Sequence, residues 1–318
     1  MISKHKQMER EDLHLISRHS TITEKTALTI LQNDIYNNKK AWKKFLNYLI
    51  LSLGIGFTVC GIIFFFAYNW ADLHKFLKLG IIQVLLIVST ALALSPKFKT
   101  PIRNTILLGA SFLVGALFAV FGQIYQTGAN AFDFFLAWTI FITLWTLVSN
   151  FAPLWLLFLT LCTNTFIMYS QQVQDWSGIF VCLILFLLNS AALVISYSLK
   201  NFSVPKWFTN CVALASISYA TIGISMGIFD YYDNSILYSF ILIASVLYVI
   251  GFRFGINSKN AFLIASLAFS TMIIICCALV KLSDDFLMYL LISFFIIGSV
   301  TLIIKYLIDL QKQWNNEQ

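Results

Sequence analysis

The sequence predicts an all-α protein, a polytopic transmembrane helical bundle of about ten spans with a short N-terminal cytosolic helical hairpin. Apolar stretches, each long enough to cross a bilayer, follow one another from Leu46 to Leu307. The 318 residues are 59% hydrophobic and 16% aromatic, with a mean hydropathy of +0.81, which excludes an ordinary soluble core. Only 11% of the residues are charged, and few of these charges interrupt an apolar stretch.

Residues 1–45 are predicted to form a cytosolic helical appendage that ends in a basic interfacial anchor. Thr21 and Glu24 fit a capping box at the start of a helix. Two short helices bury too little surface to be stable alone, so we expect this hairpin to contact a protein partner. The narrow apolar face of its second helix comprises Ala27, Leu28, Leu31 and Ile35. The anchor, which suits anionic lipid headgroups, comprises Lys39, Lys40, Trp42, Lys43 and Lys44.

Residues 46–307 are predicted to form the transmembrane domain, and residues 308–318 a cytosolic tail. The spans are expected at about 46–68, 76–95, 105–124, 132–149, 153–170, 178–198, 208–228, 235–253, 260–280 and 286–306. Only residues 149–153 separate the fourth span from the fifth, which predicts either a tight hairpin or an irregular pair.

The basic residues set the expected orientation. With the N-terminus in the cytosol, 18 of the 21 Lys and Arg residues lie on the cytosolic side. This bias follows the positive-inside rule and favours an even number of spans with both termini in the cytosol. The net charge of +7 is thereby explained by membrane orientation, so we expect the lipid bilayer, and no nucleic acid, as the partner of these cations.

Two patterns of small residues concern helix packing. Leu53-Gly54 in the first span and Leu108-Gly109 in the third are 55 residues apart, within similar surroundings. This spacing indicates either a repeated two-helix hairpin, 46–95 and 105–149, or a chance similarity. Gly223 and Gly227 form a GxxxG pattern that predicts close contact between helices, as does a small-residue stripe through Gly115.

Polar residues gather at the predicted outer ends of the first and third spans. The candidate polar outer-end network comprises Asn69, Trp70, Asp72, Gln123, Tyr125, Gln126, Asn130, Asp133 and Trp138. Amides at membrane depth need partners because lipid offers none, which favours a shared network. The alternative is an aromatic belt in which Asn and Gln close helix ends. Gly128 is expected to supply a sharp turn.

Two segments and one tryptophan in this region resemble a known family. They are Phe64-Phe65-Phe66-Ala67-Tyr68-Asn69-Trp70, Gly122-Gln123-Ile124-Tyr125-Gln126-Thr127-Gly128, and Trp138 further along. Together with the N-terminal helical segment, they are similar to the bacterial membrane family called domain of unknown function 2157, over about residues 10–150. The resemblance implies a multipass protein of the bacterial cytoplasmic (inner) membrane and implies no assigned activity.

The residue pattern favours a non-enzymatic function. Sequence signatures of hydrolases, metalloproteases and nucleotide-binding enzymes are missing, and we expect no catalytic residue, no metal site and no cofactor. The spans carry no carboxylate near their middle, which disfavours proton coupling. Gln83 and Asn189, the deepest amides, are expected to form interhelical hydrogen bonds rather than to bind a ligand.

We therefore expect a scaffold or accessory subunit of a membrane complex. The first alternative is a transporter or permease for a neutral or lipid-like solute, which the repeat and the amide-rich outer ends favour. A membrane-embedded enzyme that uses His74 and Asp72 is the third class.

Overall fold

The computed structural model describes residues 39–68, 74–125, 128, 130–198, 204–230, 234–282 and 286–316. Within these ranges lie ten α-helices: α1 Lys39–Tyr68, α2 Lys75–Leu94, α3 Thr100–Tyr125, α4 Ala131–Ser149, α5 Ala152–Tyr169, α6 Gly178–Ser198, α7 Lys206–Phe229, α8 Asn234–Asn257, α9 Ala261–Leu282 and α10 Phe286–Asn316. A π-helix, Ser170–Gln174, follows α5. Each α-helix is long and apolar enough to cross a bilayer, which confirms the all-α transmembrane fold class. The predicted hairpin within residues 1–38 lies outside the described ranges.

Several helices extend beyond the apolar stretches that mark them in the sequence. Helix α1 begins at Lys39 and α3 at Thr100, several residues before the predicted spans. Helix α10 continues to Asn316, so the segment expected as a tail is helical as far as that residue. Hydropathy marks only the part of a helix that suits hydrocarbon, and backbone hydrogen bonding continues into the polar turns on either side.

The chain divides into two compact units between Leu113 and Val114. In the first unit, α2 buries Leu79 and Ile82. The start of α3 is tied to the end of α2 by Arg103, whose Nε donates a hydrogen bond of 2.7 Å to the carbonyl oxygen of Ala93.

Helix α1 belongs to the first unit and is largely uncovered. None of the residues in the most apolar window of α1 is buried, whereas 39% of the residues in the corresponding window of α3 are buried. One close approach to α3 occurs at Gly109, where an added Cβ would lie 2.7 Å from Cγ2 of Ile55. Within the first unit, most of the surface of α1 is therefore uncovered.

The second unit is built around α7, which contacts α5, α6, α8 and α9. Its largest buried side chains are Phe186 on α6 and Phe240 on α8, whose ring centroids are 5.8 Å apart. Ala220 and Ile224 of α7 belong to the same buried cluster as these two rings. Because α7 supplies mainly small and aliphatic side chains, the neighbouring helices approach it closely.

The GxxxG pattern of α7 lies at helix contacts, as the sequence predicts. A Cβ added to Gly223 would lie 2.5 Å from Cβ of Cys182 on α6. A Cβ added to Gly227 would lie 2.7 Å from Cδ1 of Leu237 on α8. The two glycines thus let α6 and α8 pack directly against the backbone of α7.

Helices α4 and α5 form a tight hairpin, the first of the two alternatives for residues 149–153. Asn150 follows the last residue of α4 in the left-handed conformation, with φ 47°. Phe151 is then the N-cap of α5, and Pro153 lies in its first turn. Asn adopts this conformation more readily than most residues, and proline is tolerated only in the first turn of a helix, so the turn is encoded locally.

Candidate functional site

Four of the nine residues in the predicted polar outer-end network lie outside the described ranges: Asn69, Trp70, Asp72 and Gln126. The described members are Gln123, Tyr125, Asn130, Asp133 and Trp138, all in the second unit. The complete network therefore stays a prediction, while the surroundings of these five residues are known.

Gln123 and Tyr125, in the last turn of α3, have exposed side chains. The ring of Tyr125 lies 4.6 Å from that of Phe121, centroid to centroid. Gly128, three residues beyond Tyr125, has φ +64°, a left-handed conformation that suits the predicted sharp turn. Exposed aromatic rings beside a helix end are typical of the membrane–water interface.

Asn130 and Asp133 close the N-terminus of α4. The backbone N–H of Asn130 donates a hydrogen bond of 3.1 Å to Oδ2 of Asp133. The backbone N–H of Asp133 in turn donates to the carbonyl oxygen of Asn130, also at 3.1 Å. A carboxylate in the first turn accepts from otherwise unpaired amides and interacts favourably with the helix dipole. For this pair, the structure matches the second interpretation, in which polar residues cap helix ends.

Trp138 has a packing role one turn further along α4. A Cβ added to Gly115 of α3 would lie 2.5 Å from Cζ2 of the Trp138 indole, so the ring lies directly against the glycine backbone. The Phe134 ring is 5.7 Å from the same indole, centroid to centroid. The small-residue stripe predicted on α3 thus accommodates a large aromatic side chain at Gly115.

Gln172, which was not among the predicted site residues, lies in the π-helix after α5. Its Oε1 accepts a hydrogen bond of 3.1 Å from the backbone N–H of Phe132 in the first turn of α4. The Phe132 ring also contacts that of Tyr169 edge to face, at 5.3 Å between centroids. A π-helix widens the turn and re-aims the side chains that follow it. The run Gln171-Gln172-Val173-Gln174, polar and next to a predicted span end, was the signal available in the sequence.

Trp176 is the centre of an aromatic cluster beside this connection. Its indole lies 5.7 Å from the ring of Tyr169 and 5.5 Å from that of Phe166, both on α5. The Phe180 ring on α6 is 5.4 Å away. These edge-on and tilted contacts stabilise the helix ends at one face of the bundle.

Deep in the second unit, hydroxyl groups pair across helices. Ser270 Oγ on α9 lies 2.6 Å from Thr221 Oγ1 on α7 and 2.7 Å from the Tyr248 hydroxyl on α8. Ser190 and Ser216 form a similar pair between α6 and α7, with 2.8 Å between their Oγ atoms. Because lipid cannot replace these partners, each pair fixes the rotation of one helix against the next.

The two amides that the sequence singled out, Asn189 and Gln83, differ in their burial. The Nδ2 of Asn189, which is buried in α6, donates to the carbonyl oxygen of Leu185 in the same helix at 2.8 Å. Gln83 is exposed on α2. This hydrogen bond of Asn189 is therefore intrahelical, whereas an interhelical bond was expected.

A cleft of about 670 Å³ lies where one end of α5, α6 and α7 meets the α4–α5 turn. Its wall, which we call the α5–α7 cleft, includes Phe158, Cys162, Ala192, Ile195 and Trp207. Among the described residues, no three His, Cys, Asp or Glu side chains come close enough together to hold a metal ion. The hydroxyl groups described above pair with one another across helices.

The helices and their apolar surfaces define a multipass integral membrane protein. Residues 17–155 match the family described as "Predicted membrane protein (DUF2157)", which confirms the resemblance over that part of the chain. No curated protein and no solved structure matches this chain. The comparisons therefore give a family match for residues 17–155, described as a predicted membrane protein, and no biochemical activity.

Proposed function

We propose that this protein is a non-enzymatic scaffold or accessory subunit that binds another membrane protein through α1. The observation that supports this role is the lack of burial along the most apolar window of α1, Trp42–Ile62. A span of a multipass protein normally covers part of its surface with neighbouring helices, because helix association in lipid depends on close packing.

One face of α1 has the composition of a helix–helix contact. Gly54, Thr58 and Gly61 are spaced four and three residues apart, so they lie on one side of the helix. A Cβ added to Gly54 or to Gly61 would have no neighbouring atom within 4 Å. The Thr58 hydroxyl donates to the carbonyl oxygen of Gly54 at 2.7 Å, which leaves this face smooth and weakly polar. Such a face permits close approach of a second helix.

The polar groups of the second unit further support a structural role. The hydroxyl of Ser270 pairs with those of Thr221 and Tyr248. Among the described residues, Ser225 Oγ is the buried side-chain oxygen without a hydrogen-bond partner. A pathway for a polar solute needs several such groups directed at a common space.

We further propose that the protein lies in the bacterial cytoplasmic membrane with both termini in the cytosol. The distribution of Lys and Arg along the sequence supports this orientation. The apolar face expected at Leu28, Leu31 and Ile35 would then be available to a cytosolic domain of the same partner.

The test is affinity purification of the tagged protein in mild detergent, with identification of co-purified proteins by mass spectrometry. We compare the intact chain, a deletion of residues 1–38, and the double variant Gly54→Leu/Gly61→Leu. Leu53→Phe, which lies about 100° around α1 from that face and is already 50% exposed, is the matched control. We expect a stoichiometric partner that the glycine variant loses and the control retains. A partner that survives both the glycine variant and the deletion, or no partner for the intact chain, contradicts the proposal.

A transporter or permease for a neutral or lipid-like solute is the second candidate, and the α5–α7 cleft favours it. The cleft is within the volume range of small-molecule sites, and its wall is almost wholly apolar. The same purification separates the two candidates, because a self-sufficient permease needs no stoichiometric partner.

A further inference from the structure

The α5–α7 cleft extends from the surface of the second unit into its interior. Ile195 on its wall is 57% exposed, whereas Phe208 is only 5% exposed. The wall also includes Ala191 and Ala192 of α6, whose small side chains occupy little of the space. The cleft is thus accessible from outside the bundle at the level of its helix ends.

The chemistry of the wall selects an apolar occupant. Asn150 and Ser196 contribute polar groups near the ends of the helices, whereas Leu159, Cys162 and Leu188 lie further along α5 and α6 from those ends. An apolar space of this kind does not hold ordered water, which needs two to four polar partners. Left empty, the wall would lose dispersion contacts that a hydrocarbon chain supplies.

The position of the cleft suggests that its occupant also has a charged head. The cleft lies at the ends of helices, and Trp155 and Trp207 on its wall are residues that prefer the membrane–water interface. Lys206, the first residue of α7, is exposed beside Trp207 and Pro205, which also line the cleft. A cation at the interface next to an apolar space complements a phosphate joined to an acyl chain.

We propose that the α5–α7 cleft is a binding site for one phospholipid, whose acyl chain enters the cleft while its phosphate lies at Lys206. Under the orientation proposed above, this lipid comes from the cytosolic leaflet. The cleft shares no lining residue with α1, and the proposal does not depend on the scaffold role.

Photolabelling of the full-length protein in phosphatidylethanolamine nanodiscs tests this site. The probe is a trace of phosphatidylglycerol with a diazirine in one acyl chain, and labelled peptides are mapped by mass spectrometry. We expect enriched labelling in residues 155–162 and 188–196, compared with the exposed face of α10. Labelling of these segments no stronger than that of α10 overturns the proposal, because bulk lipid alone would produce it.

Substitutions on α6 distinguish labelling by a lipid in the cleft from labelling by the surrounding lipid. Ala192→Phe fills the cleft and is expected to abolish the enrichment. Val194→Phe adds a similar ring to a side chain that is 63% exposed and outside the wall, and is expected to preserve it. If Ala192→Phe does not fold, Ala191→Phe at the exposed rim serves the same purpose. Enrichment that survives a folded cleft-filling variant overturns the proposal.

A second probe tests the phosphate contact. Diacylglycerol with the same diazirine chain has no phosphate, so we expect it to label the cleft less than phosphatidylglycerol does. Lys206→Gln is expected to reduce phosphatidylglycerol labelling to the diacylglycerol level. Equal labelling by the two probes in the unmodified protein would show a site for neutral apolar chains and overturn the phospholipid assignment.

Discussion

Replacing Gly223 by alanine introduces one methyl group where α7 packs closely against α6 and α8. The new Cβ would lie 2.5 Å from Cβ of Cys182 and 2.5 Å from Cε1 of Phe240. Carbon atoms at their best separation are about 3.5–4.0 Å apart, so the contact is about 1 Å too short. Because a Cβ atom is fixed to its own backbone, α6 itself must move away from α7. Overpacking of this kind costs about 1–3 kcal/mol.

Gly298→Ala on α10 is the matched control, since an added Cβ there would meet nothing within 4 Å. Alanine favours a helix over glycine by about 1 kcal/mol in both variants, so this contribution cancels in the comparison. We therefore expect Gly223→Ala to be less stable than Gly298→Ala by about 1–3 kcal/mol.

The assay is reversible unfolding of the purified protein in mixed micelles with increasing dodecyl sulfate, followed by tryptophan fluorescence. It yields the free energy of unfolding of both variants and of the unmodified protein. If Gly223→Ala is as stable as Gly298→Ala, then α6 and α8 do not pack against this glycine, and the proposed helix contacts are wrong.

Three further predictions use the same assay. Ser270→Ala removes a hydroxyl shared by two neighbours and should cost about 0.6–1.7 kcal/mol, whereas Tyr248→Phe should cost less because Ser270 and Thr221 remain paired; equal stability of Ser270→Ala and the unmodified protein would contradict the pairing. Gln172→Ala removes the acceptor of an amide in the first turn of α4 and should cost about 0.5–1.5 kcal/mol. Gln171→Ala, at an exposed neighbouring residue, is the neutral control. Identical effects of the two substitutions on the free energy of unfolding would refute the contact. Asp133→Ala should lower stability by about 0.5–2 kcal/mol through loss of the cap at the start of α4, and an unchanged free energy of unfolding would show that water replaces it.

The sequence predicts the spans well because hydropathy is an additive local property. Each stretch of about 20 apolar residues favours the bilayer whatever its neighbours are. The tight turn at Asn150 and Pro153 is also local, since it depends on backbone preferences of single residues. Gly223 and Gly227 were identifiable as contact residues because their spacing places both on one side of α7.

The candidate site was less predictable because it depends on which helices are neighbours. Asn130 and Asp133 are three residues apart, and their capping role follows from that spacing. The partner of Gln172 is Phe132, 40 residues earlier in the chain. Neither segment alone predicts that Phe132 and Gln172 are neighbours. Their contact requires α4 and α5 to pack side by side with a particular alignment along their axes.

By itself, the sequence determined the fold class, the sequence positions of the ten spans and the charge asymmetry between their ends. These properties follow from the transfer of individual side chains between water and hydrocarbon. Only the tertiary structure decided that Ser270 pairs with Thr221 and Tyr248, that Asn189 bonds within its own helix, and that α5, α6 and α7 leave a cleft between them. Successive residues point about 100° apart around a helix. A small rotation of one span therefore changes every partner of its side chains, while its mean hydropathy stays the same.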